Sequence, residues 1–454
     1  MDNSGVRIKL SLFNLVNLII ITGCFTVAWI LYYNEIITWS YQYKGKLAIS
    51  LVFLVLYFLC IKAYDGFAIV SQRKMELVIS QCLAALIADC LMYVIICLLH
   101  EWFAPILPLV LVVLVQVLLI LLWVIVTKNW YNTATPPRRT AVLHDGSKEA
   151  LHLMGEMGYS KQHDLIVTMD ILDCIDENLK PLEDAEVVFI CSKSGSDRDA
   201  VIDYCTARKL PFYVSPSIND MMLTSAKRIH MFHSPLLQMH MNEPSMGYAF
   251  TKRAMDLVLS LMALAVLWPF MAVIAVIIKA YDRGPAFYKQ TRLTKAGKEF
   301  ELIKFRSMRV DAEADGVARL STGDNDDRIT PIGKVIRKLR LDELPQLLNI
   351  VRGDMAIVGP RPERPEIAAE YEKTLPEFSL RLQAKAGLTG YAQVFGKYNS
   401  TPKEKLQMDM IYISNPSIVE DIRLILTTVR VLFMKESTEG VSEGQTTAMS
   451  GESH

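Results

Sequence analysis

Two adjacent carboxylates, Asp342 and Glu343, stand in the stretch RLDELPQLLNIVRGDMAIVGPRPERPE, Arg340 to Glu366. A basic run precedes them and a proline-broken arginine cluster follows. Proline is tolerated in a helix only in its first turn, so Pro345 predicts a helix starting at Asp342 or Glu343. A carboxylate there is held ionised by the helix dipole and by nearby cations. Capping alone would account for one such acid. The surroundings argue for chemistry: Gly359, Pro360, Arg361 and Pro362 make a rigid turn presenting an arginine, Arg352 and Arg364 are near in sequence, and Arg337 precedes the pair by five residues. An ionised carboxylate among arginines suits phosphoryl transfer, where a nucleophile meets an electron-poor phosphorus and cations neutralise its oxygens. Two neighbouring acids can also hold Mg²⁺.

Several elements must position this cluster. The segment GPAFYKQTRLTKAGKEFELIKFRSMRVDAE alternates apolar and polar residues, which predicts strands carrying Lys289, Arg292, Lys304 and Arg306. Next, TPIGKVIRKLRLDELPQLLNI reads as helix, turn at Arg340–Asp342, helix. In the first of these, Ile332, Val335, Ile336 and Leu339 form a stripe flanked by Lys334, Arg337 and Lys338, the pattern of a helix lying on anionic lipid. Upstream, Arg253 to Lys279 encloses an apolar run long enough to span a bilayer. Trp268-Pro269 lies near its middle, and basic residues flank both ends (Lys252 and Arg253, Lys279 and Arg283). A true span leaves one end poor in Lys and Arg. A helix-break-helix that dips into one leaflet and returns satisfies both facts, with a kinked fifth span as the alternative. Asn415 to Lys435 sets Ile418, Ile422, Ile425, Val429 and Leu432 on one helical face beside Arg423, Arg430 and Lys435. That fits an interfacial helix, or one packed on a core. Beyond Glu436 the Ser/Gly/Glu-rich end reads as disordered.

The 454 residues are 52% apolar with zero formal net charge, so no global field points to nucleic acid. The apolar excess sits in four runs near Leu10–Tyr32, Leu47–Ala63, Leu77–Leu99 and Ala104–Thr127, each about the length of a membrane span. The first run is too long for a cleaved signal peptide and lacks its small-residue exit. Asn14, Asn17, Asp89 and Gln116 inside them predict helices that face one another. Arg7, Lys9, Arg73, Lys74, Lys128, Arg138 and Arg139 put both ends of the bundle in the cytoplasm, with Lys44 and Lys46 arguing weakly the other way. None of the eight cysteines forms a CxxC pair, which reads as reduced and buried thiols. From Thr140 to Pro244, TAVLHDG, DLIVTMD, AEVVFICSKSG and LPFYVSPS alternate with helical stretches such as SDRDAVIDYCTARK, predicting a parallel Rossmann-like sheet. Its first turn lacks GxGxxG, so a structural or regulatory domain fits better than dinucleotide binding.

Five motifs in order then carry a resemblance: Lys304-Phe305-Arg306-Ser307-Met308, Asp342-Glu343-Leu344-Pro345-Gln346-Leu347, Gly353-Asp354-Met355, Val358-Gly359-Pro360-Arg361-Pro362 and Gly387-Leu388-Thr389-Gly390-Tyr391-Ala392-Gln393-Val394. Together they resemble the bacterial sugar transferases, monotopic polyprenyl-phosphate sugar-1-phosphate transferases that begin exopolysaccharide, capsule or O-antigen repeats. The N-terminal runs and the central domain resemble the family's long form. The resemblance implies that Asp342 attacks the β-phosphate of a UDP-sugar, releases UMP and passes the sugar-phosphate to undecaprenyl phosphate. Glu343 matches the second acid, the pair holding Mg²⁺. Lys304, Arg306, Arg337, Arg361, Gln393 and Lys397 match phosphate- or substrate-binding positions, and Trp268-Pro269 matches the break of a re-entrant helix. Two departures stand out. The break is usually Ser-Pro, and Gly396-Lys397 replaces the usual Gly-Arg, keeping the charge without the bidentate fork.

The expected protein is a membrane protein with a four-helix transmembrane bundle (1–135), a degenerate Rossmann-like α/β cytoplasmic domain (136–245), an α/β catalytic domain (246–436) with a re-entrant helix (253–279), and a tail (437–454). Its expected partners are a UDP-hexose (UDP-glucose or UDP-galactose), undecaprenyl phosphate and the lipid bilayer, with a homodimer left open and no nucleic acid. The bacterial inner membrane is the expected location, the catalytic domain facing the cytoplasm. A glycosyltransferase releasing UDP and a non-catalytic assembly scaffold are the rivals. The intact acidic pair and basic cluster speak against the scaffold.

Overall fold

The computed structural model describes residues 3–146, 163–192, 195–224, 226–231, 234–238, 244–309, 328–396 and 401–432. Lys397, the helical stretch expected after TAVLHDG and the C-terminal tail lie outside these. The chain divides into two compact units, Met1–Ser217 and Ile218–His454.

The first unit begins with four apolar helices, α1 (Asn3–Ala28, continuing through a π-helical turn at Trp29–Tyr33), α2 (Tyr43–Ala63), α3 (Lys74–His100) and α4 (Leu107–Ala134). Each is long and apolar enough to cross a membrane. Leucines such as Leu12, Leu114, Leu118 and Leu122 face outward, while the polar residues turn inward. Inside, Asn17 donates to Gln81 at 3.2 Å and accepts from Tyr57 at 3.0 Å, and Gln81 donates to the Gly66 carbonyl at 2.8 Å. Asp89 on α3 and Gln116 on α4 are also buried, as their place in apolar helices predicts.

The same unit continues into a parallel sheet of order β2-β1-β3-β4, built from β1 (Arg138–His144), β2 (His163–Asp170), β3 (Val187–Cys191) and β4 (Phe212–Val214). All four expected strands form, and α5 (Ser196–Ala207) connects the last two. Ala141, Leu143, Val188 and Ile190 meet Ile171, Cys174, Val201 and Cys205 in its core. All eight cysteines are free thiols.

The second unit carries a small hairpin, β5 (Lys227–Met231) with β6 (Ser234–Gln238), then a 37-residue helix, α6 (Met246–Asp282). The chain does not leave the helix at Trp268-Pro269. Pro269 sits inside α6, since a missing N–H costs one hydrogen bond and neighbouring turns carry the helix on. Trp268 is exposed, as are Val266, Phe270 and Val273 around it. An antiparallel pair follows, β7 (Phe287–Leu293) and β8 (Glu299–Phe305), in the register Tyr288 to Lys304. Then come α7 (Pro331–Lys338), α8 (Gln346–Arg352), β9 (Ala356–Val358), α9 (Pro365–Thr374), β10 (Gly387–Thr389), α10 (Pro402–Ser414) and α11 (Ile418–Leu432).

The buried side of α6 supports this unit. Leu259, Ala263 and Leu264 pack on Leu302, Leu347, Ile350, Ile357 and Val358, and Met271 and Ile278 meet Phe305 and Ile336. Polar contacts fix the junction. The fork of Arg253 donates to the carbonyls of Ile350 and Val351 at 2.7 and 2.8 Å, satisfying the C-terminal end of α8, where a cation is favoured. Asp256, one turn on, accepts from the Ile357 amide at 3.1 Å. Buried Asp421 accepts from Tyr412 at 2.7 Å and Tyr248 at 3.0 Å and pairs with Lys252 at 3.1 Å. On α11, Asp421, Leu424 and Thr427 face the core, while Ile422 and Val429 of the expected apolar stripe stay exposed.

Candidate active site

Asp342 and Glu343 do not open the second helix. They occupy a single 3₁₀ turn, Leu341–Glu343, entered through Arg340 in the left-handed conformation (φ 53°). The helix α8 starts only after Pro345. Leu341 and Leu344 anchor this turn against the α6 side of the core. Asn349, fully buried on α8, joins it to the neighbouring strand: it accepts from the Ile303 amide at 3.0 Å and donates to the Glu301 carbonyl at 2.8 Å. Lys304, one residue on, is thereby set opposite the acids.

Three cations converge on one atom, Oε1 of Glu343: Arg361 at 3.2 Å, Lys304 at 3.6 Å and Arg340 at 4.0 Å. Burial by itself would raise the Glu343 carboxyl, but the charges of Arg361, Lys304 and Arg340 outweigh it and hold the group down at about 2. Asp342 moves the other way. Burial and the adjacent Glu343 charge push it above its ordinary value, against Lys304, Arg337 and Arg340. Burial brings Lys304 down to about 8, against the pull of Glu343. Two neighbouring acids thus have opposite proton affinities, one locked as an anion and the other more basic. Among the described residues the Asp342 carboxylate makes no hydrogen bond or close ion pair.

Arg361 stands on a turn with no slack. Gly359 and Gly387 lie where neither has room for a Cβ, each meeting the other segment's backbone, so the two glycine motifs pack as close neighbours. The neighbouring Pro362 and Glu363 carbonyls accept from Arg292 and from the Leu293 amide, both at 3.0 Å.

The expected site residues are distributed unevenly. Lys304, Arg361 and the acidic pair meet, and Arg337 acts on Asp342 from α7. Arg306 packs elsewhere, its guanidinium filling the space a side chain on Gly284 would take and lining a recess with Ile278, Tyr281 and Thr330. Gln393 sits beside Gly390, with both carboxamide atoms enclosed and unpaired among the described residues. Arg340 and Asn349 are not among the expected site residues, and Arg292, expected on a strand beside the cluster, binds the Arg361 turn instead of the acids. Arg340 adjoins the pair in sequence, and only its left-handed backbone turns its side chain back.

The bacterial sugar transferase family model matches residues 247–435, which contain every element of this site. An exopolysaccharide production protein of Rhizobium leguminosarum bv. phaseoli is 43% identical over 187 residues, which cover 39% of this chain and 92% of that one. The chain belongs to the bacterial sugar transferase family. A UDP-N-acetylgalactosamine-undecaprenyl-phosphate N-acetylgalactosaminephosphotransferase of Aeromonas hydrophila is 34% identical over 231 residues, 50% of this chain and 53% of that protein. A UDP-glucose:undecaprenyl-phosphate glucose-1-phosphate transferase of Xanthomonas campestris pv. campestris is 42% identical over 194 residues, 41% and 40% of the two chains. The match spans about half or less of these last two relatives.

Proposed function

We propose that this bacterial sugar transferase moves a sugar-1-phosphate from a UDP-sugar to undecaprenyl phosphate, releasing UMP, through a phosphosugar on Asp342. The observation that carries the reading is the asymmetry of the acidic pair. Glu343 is pinned by Arg361, Lys304 and Arg340, whereas Asp342 beside it is unpaired among the described residues and more basic. A carboxylate free to move and raised in basicity suits a nucleophile. A carboxylate ringed by cations suits a fixed point that orders them around phosphate oxygens.

In the first step an Asp342 oxygen bonds to the β-phosphorus, the bond from that phosphorus to the bridging oxygen breaks, and the electron pair leaves with UMP. In the second step a phosphate oxygen of undecaprenyl phosphate attacks the same phosphorus, and the Asp342 oxygen leaves as carboxylate. Arg361, Lys304 and Arg337 would neutralise the phosphoryl oxygens during both steps. Two hard-oxygen acids side by side fit Mg²⁺ chemistry: Asp342 is unpaired and the cations all address Oε1 of Glu343, which leaves Oε2 available. Asp342 and Glu343 would hold magnesium, which would supply further charge neutralisation.

The four N-terminal helices would form a membrane bundle, and α6 would enter one leaflet and return. The Lys and Arg at both its ends favour that geometry over a span, and Pro269, where a helix hydrogen bond is missing, is the point at which the continuous helix would have to bend. Exposed Ile422 and Val429 on α11, with Val335 and Leu339 on and after α7, fit a surface that rests on lipid. Such an arrangement would set the site on the cytoplasmic face of the inner membrane, where both substrates would meet.

Nucleotide release from the full-length protein in detergent tests the reading. With Mg²⁺, undecaprenyl phosphate and a panel of UDP-glucose, UDP-galactose and UDP-N-acetylgalactosamine, it predicts lipid-dependent UMP from one donor. UDP in place of UMP would mean that only the sugar moves.

A further inference from the structure

Beneath the Arg361 turn lies a buried ion cluster that the transfer chemistry does not use. Its centre is Arg381, 4% exposed, in the 3₁₀ segment Pro376–Gln383. Its Nη2 donates to the carbonyl of Arg361 at 3.0 Å and to Oδ2 of Asp409 at 2.6 Å, and its Nε donates to the same Asp409 oxygen at 3.0 Å. Asp409, on α10, is 1% exposed. The third nitrogen, Nη1, lies 3.5 Å from Glu363, and the guanidinium stacks 4.8 Å from the Phe378 ring centre. Glu363 in turn faces Arg292 at 3.8 Å.

The consequence lies in the backbone. Four successive carbonyls, Pro360 to Glu363, each accept a hydrogen bond, from the Gly387 amide, Arg381, Arg292 and the Leu293 amide respectively. Two of those donors are arginine side chains, and Pro360 and Pro362 have no N–H of their own. A buried cluster of this kind is weak evidence for stability, because desolvation offsets much of its attraction. Its evident product is geometric: the Cα of Arg361 is held where its side chain reaches Glu343.

We infer that Arg381, oriented by Asp409, is a positioning residue for Arg361 and through it for the acidic pair. A lysine there keeps the charge but cannot donate to the Arg361 carbonyl and Asp409 together in one plane. The inference rests on the proposed function, and its test separates the two.

The test is a double-mutant cycle on UMP release by the full-length protein, with melting temperature as a control. Arg381→Lys is expected to lower kcat/KM about tenfold in the wild-type background and to have almost no effect when Arg361→Gln is already present. A purely structural role predicts the same fractional loss in both backgrounds, together with a lowered melting temperature, and that result would overturn the inference. If Arg381→Lys does not fold, Asp409→Asn completes the same cycle with Arg381 in place. Absence of UMP from the wild-type protein across the donor panel would instead defeat the proposed function.

Discussion

Two short turns face each other across the site, and they are held in different ways. The turn bearing Arg361 is tied to β10, β7 and the Arg381 segment, and each of its carbonyls is occupied. Among the described residues, the turn bearing Asp342 and Glu343 has only local backbone bonds: Glu343 N–H to the Arg340 carbonyl at 3.3 Å and Leu344 N–H to the Leu341 carbonyl at 3.2 Å. Arg361 is placed by the tertiary fold, Asp342 by one turn of chain. This difference suits a two-step transfer. In the proposed reaction the charges that would receive phosphate stay fixed, while the carboxylate that would form and break a bond keeps some freedom.

The sharpest way to break the comparison is to neutralise each acid in turn. Asp342→Asn should remove UMP release by at least about a thousandfold, since no other described carboxylate is placed to take the nucleophile's part. Glu343→Gln should cost about a hundredfold and leave a residual activity, because it loosens the cations without removing the attacking oxygen. Equal losses from the two would erase the asymmetry. A smaller effect tests the cations. Lys304, brought to about 8, carries its charge below that pH and loses it as pH rises, so kcat/KM should fall above about pH 8. Lys304→Arg should move that alkaline limb upward by more than one unit; an unmoved limb would assign it to another group. The smallest effect concerns placement alone. Asn349→Ala leaves the Ile303 amide and Glu301 carbonyl unpaired and should cost about 2 kcal/mol of stability, read by denaturant unfolding.

The contrast between the two turns also marks what could be read from the chain. The strands of the central sheet and the β7–β8 pair announce themselves by apolar runs and alternation, and the glycines at 359, 387 and 390 by their motif spacing. Pro345 located the start of α8 to within a few residues, but the left-handed Arg340 that frees the 3₁₀ turn has no signature in a non-glycine residue. Arg381, Asp409 and Asn349 carry no sequence signal for another reason. A lone polar residue on a short helix reads as solvent-facing until the tertiary fold buries it beside a partner. Arg253 and Asp256 did carry a signal, being opposite charges one turn apart at the mouth of an apolar helix. Arg253 reads in the sequence as a flank that sets topology, yet it binds the C-terminal end of α8, while Asp256 accepts from the middle of β9.

The most direct measurement is the mass of the protein itself. Full-length protein mixed with Mg²⁺ and the UDP-sugar that supports UMP release, without undecaprenyl phosphate, is quenched in acid, digested and analysed by mass spectrometry. The account predicts a sugar-phosphate on the peptide containing Asp342, lost when undecaprenyl phosphate is added before the quench and absent from Asp342→Asn. UMP formed only when both substrates are present, with that peptide unmodified at every time point, would contradict it and point to direct transfer between the two phosphates.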